Sequence, residues 1–234
     1  MANSLENDFR VEDLHCIAFS PKKPETIDTH LYTATYNMWL EVWRNSYKFF
    51  GWDPAKVYSD QWCRQDLILG LYKNDIPVGA AFFDEKNLKL PLFYNDSFFR
   101  MWPKELLDQI SQWPNSEKAL ICTLFTIAPQ FRKKNADFDY KGLLHGLCLK
   151  QFVKMGNPFM IGTTVKSSMS EISKVHAAHL LLENVNENGL IVDLLYWKRE
   201  DMLNFSFPQI NSSVNAVWEN QSNNNLINLQ RDVG

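Results

Sequence analysis

The chain has 234 residues, 45% hydrophobic and 22% charged, the balance of a globular protein rather than a disordered, collagen-like or coiled-coil chain. Its 24 basic and 27 acidic residues leave a net charge of −3, which argues against a nucleic-acid partner. No apolar run reaches the roughly 18 residues of a membrane-spanning helix, so no membrane span is expected.

The opening residues, Met1 to Asp8, are acidic and lack the apolar stretch of a secretory leader. The four cysteines (Cys16, Cys63, Cys122, Cys148) form no C-x-x-C pair and read as reduced thiols, which points to the cytoplasm. Leu14–Phe19 is a strand candidate stopped by Ser20-Pro21. A long helix is predicted from an N-cap at Asp28 to Gly51, because Tyr32, Tyr36, Trp39, Trp43, Tyr47 and Phe50 recur in steps of three or four. Its aromatic stripe is read as core, with a partly exposed ligand wall as the alternative.

Asp66–Lys73 and Ile76–Phe83, joined by Asn74-Asp75, predict a β-hairpin. Pro103 suits the first turn of a helix over 104–112. Ala119–Ile127 is a continuous apolar run and predicts a central strand buried on both faces. A polar loop leads from Gln130 into a helix over Tyr140–Met155 that buries Leu143, Leu144, Leu147, Cys148, Phe152 and Val153. Phe159–Val165 is a further strand. Ser167 or Ser168 then caps a helix predicted to run to Glu183, and Gly189 opens the strand Leu190–Trp197.

Residues 1–208 are read as one domain. Residues 209–234 are read as a polar, asparagine-rich tail, loosely ordered unless Val214–Trp218 adds an edge strand. The back half alternates strand and helix, which makes its strands parallel. The fold class is therefore α/β: a single mixed sheet of six or seven strands, with an antiparallel hairpin at the front and parallel strands with crossover helices at the back.

Three stretches carry a family resemblance: the hairpin with Ile76-Pro-Val-Gly79-Ala-Ala, the run Leu124-Phe-Thr-Ile127-Ala-Pro129-Gln-Phe-Arg132, and Gly142-Leu-Leu at a helix start. Together they resemble the Gcn5-related N-acetyltransferase superfamily. Trp43-Arg44, Phe49-Phe50-Gly51-Trp52 and Ser59-Asp60-Gln61-Trp62 are similar to the front of its acyl-homoserine-lactone synthases and N-acyl amino acid synthases.

That resemblance implies a thioester site. The backbone of Phe125, Thr126, Ile127 and Ala128 would pair with a pantetheine arm as if it were another strand. Arg132, Lys133, Lys134 and Lys141 bracket a helix start at Gly142, whose free N–H groups suit a pyrophosphate. An amine acceptor must lose a proton to attack, and the Ala119–Ile127 strand has no acid. His176 and His179, three apart on the predicted helix, and Tyr196 are then the candidates for proton transfer. His145-x-x-Cys148 and His176-x-x-His179 have metal-ligand spacing, but the implied fold keeps their helices apart, so no metal is expected.

The resulting expectation is an N-acyltransferase acting by direct attack. Its co-substrate would be acyl-CoA or acetyl-CoA, or an acyl carrier protein in their place, and its acceptor an amine-bearing small molecule or peptide. The alternative is the same scaffold without catalysis, as a module that binds a protein or small ligand.

Overall fold

The structure is a computed structural model that describes residues 10–133, 136 and 138–231, with side chains through Gln221. Among the described residues seven strands form one sheet: β1 (Leu14–Phe19), β2 (Leu67–Lys73), β3 (Ile76–Lys86), β4 (Ala119–Ile127), β5 (Phe159–Val165), β6 (His179–Glu187) and β7 (Leu190–Lys198). Their order is β1-β2-β3-β4-β5-β7-β6. Only β4 and β5 run parallel; every other neighbouring pair is antiparallel. The β2–β3 turn works because Asn74 and Asp75 both accept positive φ (48° and 66°), as a two-residue hairpin of this hand requires.

The helices are α1 (Thr29–Phe49), α2 (Asp60–Cys63), α3 (Lys104–Ser111), α4 (Tyr140–Met155), α5 (Glu171–Val175), α6 (Arg199–Met202) and α7 (Asn211–Arg231). The Asp28 carboxylate caps α1 by accepting the N–H groups of His30 and Leu31. On one face of the sheet α1 packs Trp39 against Trp62 and Phe82. On that same face Ile121, Ile161 and Leu194 pack with Leu107 and Ile110 of α3. The opposite face carries α4 and α7 over β1 to β4, with Leu143, Leu144, Leu147 and Phe152 fully buried.

The segment after β5 departs from the expected long helix. A π-helical turn at Lys166–Ser170 leads into α5, which stops at Val175, and the chain reverses through Ala177 at φ 58° into β6. Asp193 of β7, fully buried, explains the reversal. It accepts hydrogen bonds from the Ser170 hydroxyl and from the Asn184 backbone N–H (3.1 Å), tying the turn to one side of β7 and β6 to the other. β7 therefore lies antiparallel between β5 and β6, and the parallel arrangement expected for the back half holds for β4 and β5 alone.

The tail is a second correction. Instead of a loose segment or an edge strand at Val214–Trp218, residues Asn211–Arg231 form α7 against β1 and α4. Val214 and Val217 are fully buried, and the Cys16 thiol donates to the Val217 carbonyl (3.7 Å). Gly146 permits this approach, since a Cβ there would sit 2.6 Å from Val214 Cγ2. Asparagine is a poor helix former, so tertiary packing sets this helix.

Candidate functional site

β4 and β5 pair over three residues only, Leu120–Cys122 with Met160–Gly162. Past Cys122, β4 continues along β3 while β5 continues along β7 to Val165, so the two parallel strands part into a fork. A β-bulge lies at the start of the parting. Thr126 pairs with Ala80 and Thr123 with Phe82, which sets Leu124 and Phe125 against Ala81 alone, and Leu124 takes φ 50°. Residues 122–125 are half-buried, although the rest of β4 is buried.

Beyond the bulge β4 turns one backbone edge to β3 and the other to the fork. The Ala128 N–H donates to Val78 (2.9 Å), which leaves the polar groups of Ile127 on the fork side. There the Ile127 carbonyl accepts Arg132 Nε at 3.1 Å. A strand edge held open in this way can take an extended ligand by backbone pairing.

α1 crosses over the fork. Trp43 Nε1 donates to Thr126 Oγ1 on β4 (2.9 Å), and Trp52, just past the helix, donates to the Asn188 carbonyl in the β6–β7 turn (3.2 Å). Trp102 Nε1 reaches Thr163 Oγ1 of β5 at 3.4 Å from the same side. Beside Asn188, the half-buried Glu187 carboxyl is pushed up by burial, with Arg100 opposing the shift. Trp43 and Trp52 belong to the stretches that carry the family resemblance, whereas the sequence gives no signal for Trp102 or Glu187.

At the other end of the fork α4 begins. The sequence expectation brings Arg132 and Lys133, both exposed just after β4, together with Lys141 and Gly142 in the first turn of α4. Lys134 lies outside the described residues. Gly142 and Lys141 are already engaged within the protein. The Asp139 carboxylate caps α4 by accepting the Gly142 N–H (3.0 Å), and Lys141 Nζ donates to the Ser168 carbonyl (2.6 Å).

The predicted proton-transfer residues separate. His176, at the end of α5, is buried, and its Nδ1 lies 2.8 Å from Nδ1 of His145 in α4. Ser173 Oγ meets the far nitrogen of His145 at 3.3 Å. The helices expected to lie apart thus touch through this pair. Burial holds His145 well below the usual histidine value and lowers His176 to about 4, with Asp139 pulling His176 the other way. His145 backs onto Phe125 of the bulge, ring centroids 6.2 Å apart.

His179 opens β6 rather than sharing a helix face with His176. It is half-buried, bonds Asp201 (2.7 Å) and stacks on Tyr196. Tyr196 pairs with Ile161, at a level where β4 and β5 are still joined, so neither residue borders the fork. Among the described residues no group of three or more His, Cys, Asp or Glu is placed to hold a metal ion. No helix among them is long and apolar enough to cross a membrane.

No family model matches the chain, and no curated protein does. Solved structures do. The AHL synthase LasI superposes at a TM-score of 0.55 with 11% identity, covering 84% of this chain and 94% of LasI. FeeM, an N-acyl amino acid synthase from uncultured soil microbes, gives 0.52 and 9%, covering 81% and 93%. BjaI, a CoA-dependent acyl-homoserine lactone synthase solved with SAM and isopentyl-CoA, gives 0.52 and 7%, covering 89% and 90%. At these identities the likeness concerns architecture. With its forked β4–β5 pair inside a seven-stranded mixed sheet, the chain has the fold of the Gcn5-related N-acyltransferases.

Proposed function

We propose that the chain is an N-acyltransferase that moves an acyl group from a pantetheine thioester, on acyl-CoA or an acyl carrier protein, to a primary amine. The observation that carries this reading is the fork: an open strand edge at Phe125–Ala128, roofed by α1 and reached from the start of α4. On this reading the pantetheine arm pairs with that edge, Arg132 and Lys133 meet its phosphate end, and the thioester faces α1. The amine then enters from the side of the β6–β7 turn, where Trp52 meets the Asn188 carbonyl next to Glu187. The neutral amine attacks directly: its nitrogen bonds the acyl carbon, the carbon–sulfur bond breaks, and the proton shed by the nitrogen ends on the departing thiolate, giving the amide and a free thiol.

The test is a thermal-shift panel with CoA, acetyl-CoA, a long-chain acyl-CoA and an acyl carrier protein. A donor at 100 times its Kd adds about 2.7 kcal/mol, or roughly 5–10 °C for a domain of this size. The double variant Arg132→Ala/Lys133→Ala is expected to weaken donor binding about 10- to 100-fold. Both side chains are exposed, and the variant loses one hydrogen bond, Arg132 to Ile127, worth about 1 kcal/mol, so the unliganded melting temperature should fall by no more than about 4 °C.

A specific observation favours the second reading, a scaffold that binds without catalysing. The α4 N-terminus is capped by its own Asp139 carboxylate, and Lys141 is committed to Ser168. No stabilisation by any donor would decide for it. Asp139 also gives a graded prediction. Asp139→Asn keeps an equally good cap but removes a negative charge from the phosphate end. CoA affinity should rise about three- to five-fold with little change in stability. Unchanged affinity would mean that the pyrophosphate does not sit at this helix end.

A further inference from the structure

A second concavity lies on the α4 face, in the angle between α4, α6 and α7, with a volume of about 310 Å³. It is separate from the fork. Its α4 residues lie in the second half of the helix, and Lys154 is about 18 Å along the axis from Gly142. Buried Leu149, Met202 and Phe207 make an apolar floor. Trp218 forms one wall, and Leu203 stands 52% exposed at the lip.

The lip is charged with one sign. Lys150 and Lys154 lie one helical turn apart, and both line the opening. The Lys154 ammonium sits 5.5 Å over the Trp218 ring. Among the described residues neither lysine forms an ion pair. An apolar cup with two unneutralised ammonium groups at its rim is complementary to a molecule with an apolar tail and an anionic head. The volume stands at the small end of ligand pockets, room for one chain and not for a nucleotide cofactor.

We propose that this pocket binds a free medium-chain carboxylate, tail against Leu149, Met202 and Phe207, head between Lys150 and Lys154. The floor connects to the buried histidine pair, since the Phe207 ring lies 5.3 Å from that of His176. The site therefore borders the structure that supports the fork without being part of it, and it does not depend on the acyltransfer reading.

The test uses the full chain labelled with nitrogen-15, titrated with octanoate at pH 7.5 and followed by its indole N–H resonances. Trp218 is identified by its loss in Trp218→Phe. Saturable shifts at Trp218 are expected, with 1-octanol and octylamine at least ten-fold weaker. Lys150→Glu/Lys154→Glu should weaken octanoate at least ten-fold, and the milder Lys150→Gln/Lys154→Gln guards against a folding defect. Arg132→Ala/Lys133→Ala should leave octanoate binding intact, which separates this site from the donor site. The proposal is overturned if octanol binds as tightly as octanoate, if charge removal changes nothing, or if the shifts fall on Trp43, Trp52 and Trp102, which would put the chain in the fork.

Discussion

Trp39→Ala is expected to cost about 3–5 kcal/mol of folding stability and to lower the melting temperature by roughly 6–20 °C. Trp39 has no exposed surface and sits at the centre of the aromatic cluster under α1. Its ring lies 5.8 Å from Tyr36, 5.6 Å from Trp62 and 6.2 Å from Phe82, so truncation leaves a cavity that none of these can fill without leaving its own contacts. The indole N–H has no hydrogen-bond partner, so it adds a small penalty rather than a gain. Trp39→Phe should therefore recover most of the loss. Urea unfolding of the three proteins checks both statements. An alanine variant within 1 kcal/mol of the parent would mean that α1 is not anchored by this residue.

Acid should loosen the opposite face of the sheet. His176 is neutral in the folded state down to about pH 4, whereas an unfolded histidine takes up its proton near 6.5. Its contribution is complete above pH 6.5 and is lost as the pH falls from 6.5 towards 4, because the unfolded chain then binds the extra proton. The lost stability reaches at most about 3 kcal/mol. His145, depressed further by burial and by the neighbouring His176 and Lys141, adds a loss of the same sign. Carboxylates titrate at the lower end of this window, so the informative quantity is the difference from a reference variant. In His145→Phe/His176→Leu the decline in melting temperature between pH 6.5 and 5 should be visibly shallower. An identical decline would assign the acid sensitivity elsewhere.

Much of the scaffold was legible because it rests on local rules. Asn74-Asp75 demanded a tight hairpin, the six aromatic residues from Tyr32 to Phe50 demanded a helix, and both were found. What was not legible depends on distant partners. Leu180 to Val185 forms a strand because Asp193 and β7 receive it, and the sequence offers a helical reading of the same stretch. α7 is a helix because β1 and Gly146 accept Val214 and Val217. The candidate site divides in the same way. Arg132, Lys141 and Gly142 could be placed by position after an apolar strand. The meeting of His145 with His176, 31 residues apart, could not, nor could the span of Trp43 and Trp52 across the fork.

The bulge at Leu124 also inverts the parity of β4. Before it, the even-numbered Leu120 and Cys122 face α4; after it, the odd-numbered Phe125 and Ile127 do, while Thr126 turns to α1. One extra residue thus lets a single strand change sides midway. Across the fork from it, β5 carries no such shift in its register with β7. Straightening the bulge with all its residues kept would send Thr126 into the α4 core and present Ile127 to Trp43, whereas deleting one residue between Thr123 and Phe125 would restore a regular ladder and leave both facings as they are. For this strand the bulge, more than the identity of its side chains, decides which surface each residue serves.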